Sequence, residues 1–513
     1  MKFKYLFYFP IGISLLTSTW VSAEDTNSLN IPSEIVKSQS YERNFKVAAF
    51  ANPAAKFFQQ DYSLTSLYFN GISEDASDFK IAPMGKANSF WSIKAESQLK
   101  LDKNNLVWGE ASYTNGKRKD VNWNETSDFE LLYPYVMGDD YVGDLKYEEY
   151  FLDGGYAGYF NNWTFGAKLC YRARCEYRQV DPRPNNVVAD LKAQLAVGYT
   201  FGKYNLSLAL QAGKYKQTND LKYFNELGAS KEYHLTGIGN EFVRFSGACN
   251  DVFYKGHNFG ASLEFVPTTL KGFSASVLFD KFSFDKILSS LNKLALNHLY
   301  ENKIQTEIAW TNQSAMNADY GVKLDFTYAK RIGNDNMFGD ATGNVYPQIG
   351  TTLMFDNKKL NGRISGFYEQ TINHNIPLGI SPFIGYQNYT SLHTSSNNEF
   401  NCSNLFVGTG LKAAYIKGRN LFQIKIDASY RIGTSTELIV AEDEVCHASM
   451  LKMLNHTADY LKANETNTNI SLRYQIKLRP KTLSYFIEAS WGHRFYLNNQ
   501  NDNQYIVTTG ICL

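Results

Sequence analysis

Beyond its first 23 residues, this 513-residue chain has no apolar run near the roughly 18 residues a membrane-spanning helix needs. Mean hydropathy is −0.35, which excludes a helical membrane protein. It does not exclude a membrane barrel, because half of each barrel strand is polar. Net charge is nearly absent as well, with 51 Lys and Arg against 50 Asp and Glu. Without Lys2 and Lys4 the balance is 49 against 50, or −1, and nothing in it asks for nucleic acid. Cysteine is scarce. Cys170, Cys175, Cys249, Cys402, Cys446 and Cys512 do not have metal-site spacing, and an odd separation puts Cys170 and Cys175 on opposite faces of one strand.

The start reads as a cleavable leader over residues 1–23. Lys2 and Lys4 supply the positive end, Leu6 to Leu16 the apolar stretch, and Val21-Ser22-Ala23 the small-residue cleavage site. No cysteine lies beside that site, so a lipoprotein signal is not expected.

What the chain has in quantity is two-residue periodicity. In LFQIKIDASYRI, Phe422, Ile424, Ile426, Ala428, Tyr430 and Ile432 share one face, and Gln423, Lys425, Asp427, Ser429 and Arg431 the other. The next strand repeats this, with Ile470, Leu472, Tyr474 and Ile476 against Ser471, Arg473, Gln475 and Lys477. A soluble sandwich would bury the apolar face. Behind a secretion leader, the pattern instead predicts an all-β transmembrane antiparallel barrel with lipid outside and a wet lumen inside. The 35 Tyr and 35 Phe suit its two interfacial girdles.

Tight turns are expected at Asp102-Lys103, Asn161-Asn162, Gly202-Lys203, Asn357-Lys358-Lys359, Lys417 to Asn420 and Arg479 to Thr482. Long polar connections are expected over Asn115 to Lys146, Gln217 to Gly256, Asn373 to Cys402 and Thr434 to Thr466. The alternation predicts short periplasmic turns, long extracellular loops and about 18 strands, with 16 as the alternative. The expected division is a signal peptide at 1–23, an N-terminal periplasmic or lumenal segment at 24–60 and the barrel at 61–513. Tyr505, Val507, Thr509, Ile511 and Leu513 share a face, so the last strand is expected to close against the first.

Asp181-Pro182-Arg183-Pro184 followed by VVADLKAQLAVGYTF, the tract His234 to Gly247, and Asn52-Pro53-Ala54 resemble an uncharacterised family of Bacteroidota outer-membrane barrels of unknown function. The resemblance covers nearly all of the mature chain. It implies a Gram-negative outer-membrane location and genes beside TonB-dependent receptors, with no substrate and no catalytic residues to carry over. Asn52-Pro53-Ala54 is also similar to the fatty-acid-transporter barrels, whose N-terminal piece sits in the lumen as a hatch. The chain ends in Leu513, where such barrels commonly carry an aromatic.

The candidate site is a lumenal arginine ladder. Arg172, Arg174 and Arg178 take the inward parity with Glu176, and Arg183 follows. Unpaired, these would bind or steer anions. Alternatively they pair with carboxylates, for which Asp190, Glu488 and Asp325 are the inward candidates. A hydrolase would need Glu488, Ser490 and His493 together, yet His493 has the outward parity. Ala448 to Leu461 reads as a short amphipathic helix. A metal could be held by His447, His456, Glu442, Asp443 and Glu444, and Cys402 and Cys446 could form a disulfide.

The expectation is therefore an outer-membrane barrel associated with transport, as a channel or as an accessory of a TonB-linked uptake system. The alternative is a non-conducting docking platform for a surface lipoprotein or receptor. Outer-membrane lipid is the expected surrounding, a TonB-dependent receptor or surface lipoprotein a conceivable partner. No catalytic residue, metal, cofactor or nucleic acid is called for.

Overall fold

The computed structural model describes residues 31–513, apart from 47–49, 60–61, 78–79, 226–229, 246–250, 270, 315–317, 344, 374, 442–444, 479–482 and 498–499. The expected leader, Cys249 and the Arg479 to Thr482 turn thus lie outside the described residues. Eighteen strands form one sheet in which each strand pairs antiparallel with its chain neighbours. The last strand (Asn501–Cys512) pairs with the first (Leu64–Ala76) in register Leu67 to Ile511, and Thr65 and Leu513 exchange backbone hydrogen bonds of 3.0 and 2.8 Å. The sheet is therefore closed and has no free edge. Among the described residues no helix is long and apolar enough to cross a membrane.

Face assignment follows from burial along each strand. On Trp163–Arg178, Phe165 and Leu169 are 50% and 54% exposed while Thr164 and Glu176 are fully buried. The exposed set is the apolar set, so the greasy face points out of the barrel and the polar face points in. This is the reverse of a water-soluble fold, and it is what a bilayer solvent requires. Strand lengths of 12 to 25 residues exceed the 9–11 or so that cross the hydrocarbon, so the wall projects beyond it.

Both chain ends of the barrel lie at the rim with short turns. There Asn161 and Asn162 adopt φ of 46° and 70°, as a two-residue hairpin demands, and Gly202 and Gly418 sit at 59° and 60°. The opposite rim carries the long connections: 122–142, 223–251 and 440–464. One expected turn is wrong. Asn357-Lys358-Lys359 lies in the middle of a 25-residue strand, Gln348–Ile372. Its polar residues suggested a turn, but Asn357 points inward and donates to the Thr390 carbonyl (2.7 Å). The turn falls instead at 373–375, where Asn373 has a φ of 50°. In consequence Asn373 to Cys402 is mostly no loop. It holds the strand Ile376–His393 and the start of Asn398–Lys417. Although that strand contains Pro377 and Pro382, its ladder to the preceding strand skips only Ser381 and Pro382.

Candidate functional site: the closed lumen

The lumen is occupied from both rims. At the short-turn rim the N-terminal segment runs round the inside of the wall as a collar. Ile35 packs with Leu421, Phe486 and Cys512. The carboxylate of Glu369 accepts from the backbone N–H of Tyr41 (2.9 Å), and Lys412 donates to the Gln39 carbonyl (2.7 Å). Phe45 meets Phe367 edge-on at 4.7 Å. Phe50 packs on Val266, Asn52 bonds Glu264, and Phe57 stacks on Tyr159 at 5.4 Å. Gly166 faces the Pro53–Ala54 backbone so closely that a Cβ there would lie 2.3 Å from it. These contacts visit the wall strands in reverse chain order, so the collar touches most of the circumference before the chain enters its first strand.

The collar carries buried charge. Burial, then Asp319, raises the Glu42 carboxyl to about 7, and burial lowers the Lys46 ammonium to about 8.

At the long-loop rim the connections fold inward as a lid. The segment 122–142 is rich in apolar residues, and Trp123, Leu132, Tyr135, Val136 and Met137 are all fully buried. They pack with wall residues Tyr215, Tyr254, Phe282 and Phe284 and with Met450. Met450 belongs to the helix Ala448–Lys462, found where an amphipathic helix was expected and capped by His447, whose Nδ1 accepts from Ser449 N–H. A small sheet of Met137–Gly138, Tyr233–Gly237 and Asn240–Glu241 completes the lid.

Wall cations tie this lid down. Arg172 grips Asp128 with both terminal nitrogens, the longer contact being 3.0 Å. Arg174 bonds Glu176 (2.8 Å) and lies over the Tyr147 ring at 4.1 Å. Arg178 reaches Asp139 and Glu125, and donates to the Pro182 carbonyl (2.7 Å). Arg118 bonds Glu176, whose other oxygen accepts from Ser127 (3.0 Å). Further round, Lys286 donates to the Val136 carbonyl (3.1 Å), and Arg331 to the carbonyls of Glu130 (2.9 Å) and Tyr133 (2.6 Å). Arg431 donates to the carbonyls of Tyr460 and Ala463 at the helix C-terminus, where a cation is favoured.

The three arginines of the ladder point into the barrel, and they are neutralised. The acids that neutralise it are Glu125, Asp128, Asp139, Glu149 and Glu176, three of them from the lid. Asp190, Glu488 and Asp325 pair elsewhere, with Lys192, Arg473 and Lys323. Sequence parity could not reveal lid acids that fold into the barrel. The signal was the apolar content of residues 123–137, too high for a solvated loop. Burial, reinforced by Asp139, holds the Glu125 carboxyl well above the usual carboxylate range. Burial also opposes the charge on Asp128, but the hydrogen bonds from Arg172 outweigh it and hold that carboxyl below its usual range.

Other candidates are not assembled. Glu488 is held by Arg473 (3.2 Å) and Ser490 by Ser471 (2.8 Å), while His493 stacks on Trp491 and contacts Asn503 (3.0 Å). Among the described residues no three metal-ligating side chains cluster, and Glu442, Asp443 and Glu444 lie outside them. Cys402, buried on a wall strand, and Cys446 are free thiols.

No curated protein sequence matches the chain. Among solved structures, the ferric yersiniabactin uptake receptor of Yersinia pestis shares 11% identity over 86% of this chain and 63% of its own, at a TM-score of 0.40. This chain therefore spans under two thirds of that receptor's length. A bacterial polysaccharide outer membrane secretin aligns at 11% identity over 88% and 99%, TM-score 0.35. The toluene transporter TodX of Pseudomonas putida aligns at 10% over 91% and 92%, TM-score 0.29. A protein family matches residues 53–513, the whole barrel and the end of the collar. The chain belongs to that family, described as a family of unknown function (DUF6850).

Proposed function

We propose that this chain is a Gram-negative outer-membrane barrel with a role in transport, held closed at rest by its collar and lid. The carrying observation is the inward fold of the lid. A barrel that displayed its long loops as a docking platform would expose their apolar residues to a partner. Here Trp123, Tyr135 and Met137 are buried against the lumen wall, and wall arginines hold the lid by its carboxylates and carbonyls. A passive open channel is equally disfavoured, because the arginines that would face the pore are paired with acids of the lid and of the wall. The outer membrane suits a closed antiparallel barrel with an even strand number and an apolar exterior. On this reading the chain is a gated conduit and not an enzyme, and it needs no cofactor. Opening requires a ligand at the lid or a partner drawing on the collar from the periplasmic side.

Cells expressing the protein test this through their sensitivity to a bulky antibiotic that the outer membrane excludes. The native chain should leave sensitivity unchanged, and a variant with Arg172, Arg174 and Arg178 replaced by Gln should raise it while fractionating with the outer membrane. Equal sensitivity with both proteins correctly inserted would refute the gate.

A further inference from the structure

Most lumenal cations near the lid are bound to it or to a carboxylate. Lys359 is different. It faces inward from the strand Gln348–Ile372, seven strands round the barrel from the arginine ladder. Among the described residues no carboxylate lies within 4 Å of its ammonium, and its near neighbour is the Tyr389 ring at 5.4 Å. Lys359, Tyr389 and Cys402 stand side by side on three adjacent strands, and Asn404 lies one inward position along from Cys402. Asn404 is 4% exposed, and among the described residues its Oδ1 accepts no hydrogen bond. These residues share one cavity of about 280 Å³ between wall and lid. Apolar and aromatic surfaces come from Phe129 and Tyr133 of the lid, Phe400 of the wall and Leu454 of the lid helix, and the polar lining includes Arg331 of the wall and Glu130 of the lid.

A half-buried ammonium with no carboxylate in contact and a buried carbonyl oxygen without a donor are both costly, and each favours a complementary group. With strands about 4.8 Å apart and about 3.3 Å per residue along a strand, the two backbone positions sit roughly 12 Å from each other, with rings between. We infer that this cavity binds a small aromatic carboxylic acid that carries a hydroxyl at its far end. The carboxylate pairs with Lys359, the ring lies against Tyr389 and Phe129, and the hydroxyl donates to Asn404 Oδ1. The inference rests on the closed-barrel reading for its place in function, but binding itself requires no opening.

The test is calorimetric titration of the purified, folded barrel with 4-hydroxycinnamate, cinnamate, 4-hydroxycinnamyl alcohol and inorganic phosphate. The hydroxy acid should bind tightest. Lys359→Met should weaken it by roughly tenfold or more and abolish its advantage over the alcohol, while Lys359→Arg restores that advantage. Asn404→Leu should abolish its advantage over cinnamate. Lys330→Gln, on the outer surface beside Asp356, guards against a general charge effect and should leave all affinities alone. Retained heat-modifiable migration in gels establishes that each variant is folded. Absence of binding, equal binding of acid and alcohol, or phosphate binding as well as the aromatic acid would each overturn the assignment. Failed titration with an intact permeability phenotype removes the ligand and leaves the gate. Successful titration with no permeability change removes the gate and leaves the ligand.

Discussion

Arg172 on the barrel wall and Asp128 in the lid are 44 residues apart in sequence and form a two-pronged ion pair, closed from behind by the Tyr215 hydroxyl at 2.8 Å from Asp128. The pair joins a rigid element to a folded-in loop. Removing one partner leaves the other charge poorly solvated, at a cost on the order of 3 kcal/mol. Arg172→Gln should therefore raise hydrogen exchange in residues 122–142 while the wall strands stay protected. Unchanged exchange in that segment would mean that the pair does not hold the lid.

Lipid contact can be tested on one strand. Ile424 is 38% exposed on the outer face, and Ser429 has the inward parity. Ile424→Arg should cost about 2–4 kcal/mol in a folding titration if near the bilayer midplane. Ser429→Arg should cost clearly less. Equal losses at the two positions would contradict the face assignment.

The collar should loosen as pH rises. The folded Glu42 carboxyl titrates near 7, above its unfolded value of 4.5, because burial and Asp319 disfavour its charge. The folded state thus binds more protons than the unfolded one in this window. The contribution is complete below 4.5 and is lost as pH climbs towards 7. Protease cleavage within 41–59 should be faster at pH 8 than at pH 5, with Glu42→Gln flattening the difference. A collar that loosens in acid would reverse the sign.

The thiols in the lid region should be inert. Burial, then Glu241, pushes the Cys446 thiol up to about 12, and Cys402 is buried on the wall. Maleimide at pH 7.5 should label neither in the folded protein, and serine at both positions should leave the melting temperature under oxidising conditions unchanged. A drop confined to oxidising conditions would reveal a disulfide.

Parity carried the fold. The alternation in Leu421 to Ile432 assigned both faces of the barrel correctly, and the shared face of Tyr505 to Leu513 marked the closing strand. Parity also turned Arg172, Arg174 and Arg178 inward. It could not supply their partners, because Glu125, Asp128 and Asp139 sit in a connection with no period of its own. Lys359 was hidden for a different reason. Asn357-Lys358-Lys359 has the composition of a turn, and only pairing with both neighbouring strands makes it wall. Tertiary pairing overrides local preference most where a polar side chain has a wet interior to face.

Single-channel recording in planar bilayers tests the closed, tethered lumen most directly. The native protein should insert and stay electrically silent. The Arg172, Arg174 and Arg178 to Gln variant should show discrete openings, and deleting residues 31–59 from that variant should lengthen them. Steady conductance from the native protein, or silence from the lid-released and collar-deleted forms alike, would contradict the account.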